Sequence, residues 1–130
     1  FEAVLLAVER LAESADLGER EFREVRGVLG PDAKLLFSGF VIALADLQDG
    51  SAVPQAWHRD GGQLFDGAET CPCHCLNVFV PLVRVHTLNG PTEFVLGSHR
   101  THERAAEAAG TRRVLTCTAG TAIIFDYRIC

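Results

Sequence analysis

Residues 57–60 read Trp57-His58-Arg59-Asp60 and run directly into Gly61-Gly62. Side chains of an extended chain alternate between faces, so His58 and Asp60, two apart, point the same way and can converge on one point. An imidazole and a carboxylate on a common face are two of the three ligands of a two-His-one-carboxylate metal site. That arrangement suits Fe(II), because neighbouring coordination positions stay open for substrate and oxygen. A bare His-x-Asp step recurs by chance too often to assign chemistry. The elements around it have to give it meaning.

A second cluster is Cys71-Pro72-Cys73-His74-Cys75. Three thiols and an imidazole are donors for Zn(II) or Cu(I), but strictly alternating Cys on an extended chain cannot wrap one tetrahedral ion as two-residue spacings do. A loop insertion is the reading preferred over a metal site. His86 and His102 read as solvated or capping residues.

Of the elements that must position these groups, residues 1–15 come first. Phe1, Val4, Leu5, Val8, Leu11 and Ala12 recur at three- and four-residue steps, which predicts an amphipathic helix. A second helix is predicted over 19–29, with Phe22, Val25 and Leu29 on one face and Gly30-Pro31 as its stop. Both read as support helices packed against a sheet. Residues 34–47 carry Leu35, Leu36, Phe37, Phe40, Val41, Ile42 and Leu44 without helical spacing, which predicts one or two buried strands. Pro54 keeps the approach to His58 extended. A strand over 75–85 has apolar residues on both faces and is expected at the centre of a sheet. Asn89-Gly90-Pro91 is a tight turn, followed by a short strand at 92–95 and a loop at 96–100. Residues 101–109 are helix-permissive, and two last strands are expected over 113–118 and 121–129. Helices followed by short, evenly spaced strands predict a mainly β chain of the α+β class, with residues 1–30 as support helices and 31–130 as a sandwich or jelly roll.

The chain has 130 residues, a net charge of -5, 48% hydrophobic and 22% charged residues, which is the make-up of one ordinary globular domain. Its basic residues are scattered rather than clustered, so nucleic acid is not an expected partner. No apolar run reaches membrane-spanning length. Five Cys is an odd number and their spacing is not that of a secreted disulfide framework, so reduced thiols in an intracellular, cytoplasmic compartment are expected. The absence of Met and the final Arg128-Ile129-Cys130, inside a predicted strand, suggest an excerpt of a longer protein.

In this order, three segments resemble the phytanoyl-CoA dioxygenase family of Fe(II)- and 2-oxoglutarate-dependent oxygenases. They are Gln55-Ala56-Trp57-His58-Arg59-Asp60; the strand from Leu76 to Leu82 with Asn89-Gly90-Pro91-Thr92-Glu93-Phe94-Val95-Leu96-Gly97-Ser98-His99; and Gly120-Thr121-Ala122-Ile123-Ile124-Phe125-Asp126-Tyr127-Arg128. The resemblance implies a double-stranded β-helix (cupin-like jelly roll), incomplete at its C-terminal end, that hydroxylates a small organic or lipid-like molecule. It implies Fe(II) held by His58 and Asp60, 2-oxoglutarate as cosubstrate, and ascorbate as an accessory reductant. The family's second iron-binding His falls just past Cys130, and the basic residue for the far carboxylate of 2-oxoglutarate a little further on. The excerpt itself is therefore expected to bind iron weakly and to be inactive.

The same resemblance implies that Asn77, Phe79 and Thr92 line the cosubstrate pocket. For Asn77 a bond to backbone groups at a sheet edge, and for Thr92 plain strand propensity, are equal alternatives. Trp57 and Gln55 flank the metal pair, either as pocket wall or, for Trp57, as core. An Asp at position 60 favours hydroxylation, since halogenating relatives carry a small residue there. His99 corresponds to a family His that is not an iron ligand and is expected to brace its loop. A non-catalytic relative serving as a binding or scaffold module, and a peptidyl hydroxylase of a neighbouring branch, are the competing functions. Fold analogy does not choose the substrate.

Overall fold

A computed structural model of the chain describes residues 6–8, 17–42, 54–65, 71–101 and 110–130. The chain is β-rich. Its central element is β5 (Ala122–Asp126), a run of five buried residues with antiparallel neighbours on both edges, β1 (Leu6–Val8) and β2 (Leu76–Phe79). An uninterrupted apolar run suits a strand covered on both faces. Leu6 lies opposite Ile124 on one side, and Asn77 lies opposite Phe125 on the other. A second, two-stranded antiparallel sheet pairs β3 (Glu93–Leu96) with β4 (Thr111–Val114), Phe94 opposite Arg113.

The two sheets meet through aromatic rings. Phe125 takes Phe79 edge-on at 4.8 Å between centroids and Phe94 tilted at 4.9 Å, pairs worth about 0.5–1.5 kcal/mol each beyond the area they bury. Phe94, Ile123, Phe125 and Ile129 form the buried cluster, with Leu96, Leu115 and Cys117 packed against it. Beyond β5 the chain stays tied to both sheets. Tyr127 N–H donates to the Cys75 carbonyl at 3.0 Å, and Val95 N–H donates to the Cys130 carbonyl at 2.6 Å.

Helix α1 (Leu17–Leu29) matches the second predicted helix and ends at Gly30, whose φ of 92° is the left-handed stop that Gly accepts without strain. Three other expectations need correction. Leu6–Val8, inside the first predicted helix, form strand β1: the three- and four-residue spacing is overridden by pairing with β5, and the rest of that stretch lies outside the described residues. Residues 34–42, predicted as buried strands, form none; Leu35, Leu36, Phe37, Phe40, Val41 and Ile42 are all at least 77% exposed. An apolar run becomes a strand only where a neighbour completes its hydrogen bonds, and none of the described strands lies beside it. Residues 43–47 lie outside the description. Finally, the strand predicted over 75–85 is only Leu76–Phe79, and among the described strands it sits at a sheet edge rather than the centre. Pro81 has no N–H for a ladder, and its carbonyl turns aside to accept from Gly120 N–H at 2.8 Å.

Candidate metal centre

The His58–Asp60 segment is not part of a sheet; it is clamped to one. Gly61 N–H donates to the Tyr127 carbonyl at 3.0 Å, just past the end of β5. The alternation that sends His58 and Asp60 one way sends Trp57 and Arg59 the other. Arg59 Nη2 donates to the Ser98 carbonyl at 3.0 Å and to Thr101 Oγ1 at 3.4 Å, and the Arg112 guanidinium lies 4.7 Å from the Trp57 ring centroid. Trp57 thus packs under a cation from β4, half-buried. Gln63 Nε2 adds a bond to the His99 carbonyl at 2.6 Å. The clamp tolerates no side chain at its pivot: a Cβ on Gly61 would fall 1.9 Å from Tyr127 Cε1 and 2.0 Å from Cδ1. Gly61→Ala is therefore expected to cost about 1–3 kcal/mol of stability, as overpacking does. A Tyr127→Ala background should remove most of that cost, which a double-mutant cycle of urea unfolding would measure.

On the outward face, His58 Nε2 stands 3.5 Å from Asp60 Oδ1. His58 Nδ1 lies 2.8 Å from the Ala56 carbonyl, an acceptor only, so Nδ1 carries the proton and donates it. In the neutral tautomer that keeps this Nδ1–H, Nε2 presents a lone pair toward a carboxylate oxygen; in the protonated ring the same contact is an ion pair. Two acceptors turned toward each other call for a cation or a proton between them. The spacing is one that two donors, each about 2.0–2.2 Å from a transition-metal ion, can share. The second Asp60 oxygen, Oδ2, accepts from Asn77 Nδ2 on β2. The donor types present are ones a divalent metal accepts, with the Ala56 carbonyl and the Asn77 amide behind the two candidate ligands. Among the described residues no group of three His, Cys, Asp or Glu is arranged to hold an ion.

The other candidates are placed as follows. Asn77, expected at the cosubstrate, is bonded to Asp60. Phe79, two residues further along β2, is 37% exposed and edge-on to Phe125. Thr92 is exposed, and its carbonyl accepts from Leu115 N–H at 3.1 Å, where the two-stranded sheet begins. Gln55 is exposed. His86 closes the 86–89 turn, its N–H donating to Asn89 Oδ1 at 2.8 Å and its Nδ1 accepting from Leu88 N–H at 3.2 Å. His99 is buried in the 3-10 turn Ser98–Arg100, and burial lowers its pKa below the ordinary 6.5, with the Asp126 carboxylate opposing in part. Its carbonyl, held by Gln63, braces the loop. His102 lies outside the described residues.

The sequence reading missed a buried ion pair behind this clamp. Arg128 Nε and Nη2 grip both oxygens of Asp126 at 2.9 and 2.7 Å, and the Arg128 N–H adds a third bond to Oδ1 at 2.9 Å. Arg128 Nη1 reaches Gln63 Oε1 at 3.0 Å and the Cys71 carbonyl at 3.1 Å. The signal was there in the spacing, since Asp126 and Arg128 are two apart at a strand end. Burial of Asp126 alone would raise its pKa, but the hydrogen bonds and charge of Arg128, with help from Cys73, outweigh it and hold the carboxyl below the ordinary 3.8. Burial, then the bond and charge of Asp126, push the Cys73 thiol up to about 12. Cys73 therefore stays protonated at neutral pH, as a thiol beside Asp126.

A model of the phytanoyl-CoA dioxygenase (PhyH) family matches residues 20–130 of the chain. No curated protein and no solved structure matches it significantly. No helix among the described residues is long and apolar enough to cross a membrane.

Proposed function

The chain belongs to the phytanoyl-CoA dioxygenase family, and on that premise we propose that the protein is an Fe(II)- and 2-oxoglutarate-dependent dioxygenase that hydroxylates a small organic or lipid-like substrate. One observation carries the reading: His58 Nε2 and an Asp60 oxygen stand 3.5 Å apart on an exposed surface, each side chain backed by its own hydrogen-bond partner. His58 would hold the metal through Nε2 and Asp60 through Oδ1, and one further ligand completes the triad. When bound, iron and 2-oxoglutarate supply the oxidising power, with release of CO2 and formation of succinate. The chain's own contribution is geometry. Arg59, Gln63 and Gly61 fix the ligand segment against the 3-10 turn and the end of β5, while the partly exposed Phe79, two residues along β2 from Asn77, would offer an apolar wall. Contact between the two antiparallel sheets at Phe94 and Phe125 is compatible with a jelly-roll framework.

In the intact protein, succinate formation that requires both Fe(II) and 2-oxoglutarate, assayed with ascorbate present, is the expected result. Metal binding without any turnover of 2-oxoglutarate would instead favour a non-catalytic relative that keeps the fold as a binding module.

A further inference from the structure

We infer that Asn77 is a positioning residue that sets which oxygen of Asp60 meets the metal. The inference rests on the metal-site reading above and goes one step behind it.

Three contacts fix the backbone around Asp60: the Gly61 bond to Tyr127, the Arg59 bond to Ser98, and the Gln63 bond to His99. None of them fixes the carboxylate. The terminal torsion of an Asp is broad and two-fold, so a correctly placed backbone still leaves the two oxygens free to rotate. The Asn77 amide removes that freedom. A carboxylate only accepts, so the group facing it has to be the NH2 of Asn77, and the bond is to Oδ2. Oδ1 is then the oxygen left on the His58 side, 3.5 Å from Nε2.

Asn77 is well placed to do this because it belongs to a different element, a strand of the sheet. It sits in β2, opposite Phe125 of the central strand, 17 residues along the chain from Asp60. The bond therefore ties the ligand segment to the sheet at the ligand itself. The arrangement parallels that of His58, whose ring is oriented by the Ala56 carbonyl at 2.8 Å. Each proposed ligand thus has one outer partner that sets its orientation, and loss of such partners typically weakens metal affinity about 10–100-fold. An amide donor is also neutral. It orders the carboxylate without cancelling the negative charge that attracts the cation.

The test uses the intact protein and Mn(II) alone, without 2-oxoglutarate, with binding read from the loss of the free Mn(II) electron paramagnetic resonance signal. Asn77→Ala is expected to weaken Mn(II) binding about 10–100-fold, and Asn77→Leu, of similar volume but without a donor, by the same factor. Both variants should melt as the parent does. If Asn77→Ala fails to fold, Asn77→Leu carries the test, because it keeps the packing and loses only the hydrogen bond. Unchanged Mn(II) affinity in the folded variants, with only a higher 2-oxoglutarate concentration needed to saturate the metal-bound protein, would assign Asn77 to the cosubstrate and overturn the inference. Absence of Mn(II) binding by the parent protein is a different failure: it removes the metal site itself.

Discussion

His58→Ala is expected to end 2-oxoglutarate-dependent succinate formation by the intact protein while leaving its unfolding free energy within about 0.5 kcal/mol of the parent. The two halves of that result have separate causes. The His58 side chain is 57% exposed and its hydrogen bond is to a carbonyl two residues away, so the fold loses almost nothing with it. The metal would lose a direct ligand, which costs more than the roughly 10–100-fold typical of an outer partner. A ligand on a surface segment is replaceable without structural penalty; a ligand embedded in the core is not. Loss of both activity and fold would mean that His58 supports the structure, and full activity in the variant would remove it from the metal. Urea unfolding and succinate release, measured on one preparation, separate the three cases.

That the His58–Asp60 juxtaposition was legible while much of the fold was not has a physical reason. His58 and Asp60 are two apart on extended chain, and the two-residue period is set by backbone geometry whatever the rest of the protein does. Asn77 was legible only through the family resemblance, which placed it at the cosubstrate, whereas in the structure its partner is Asp60. The fold expectations that failed depend on neighbours. The spacing from Phe1 to Ala12 fits a helix, yet Leu6–Val8 pair with β5 because an available strand edge outweighs a weak local preference. The apolar run at 34–42 is written like a buried strand and is exposed, because composition states what a segment would bury and not what lies beside it. Asp126 and Arg128 were passed over within an apolar strand, since two opposite charges announce burial only once their mutual contact is seen. What the sequence pattern could not reveal was therefore mostly partnership.

Arg128→Met is expected to destabilise the protein by about 3–5 kcal/mol, the largest stability effect of any single change considered, because it leaves the Asp126 carboxylate buried without its counter-charge. The side chains are 3% and 9% exposed, so water cannot take over from the missing guanidinium. Replacing both partners with apolar residues should cost much less than replacing Arg128 alone, which distinguishes an uncompensated charge from lost packing. The pair also dictates an acid response. Asp126 has a folded pKa below its ordinary 3.8, so its contribution to stability is complete above that ordinary value and is lost as pH falls through the lower, folded one. His99 acts in a higher window: burial lowers its folded pKa below 6.5, the unfolded chain binds the proton more readily, and stability declines as pH drops from 6.5 toward the folded value. Urea unfolding between pH 7 and pH 2 should therefore show two declines, the lower one flattened in Asp126→Asn and the upper one retained. Since Arg128 also holds Gln63, which holds the loop carrying His99, the same Arg128→Met variant should loosen the His58–Asp60 clamp and weaken Mn(II) binding before it unfolds. Undiminished Mn(II) affinity in a destabilised Arg128→Met protein would mean that the ion pair stabilises the fold without reaching the site.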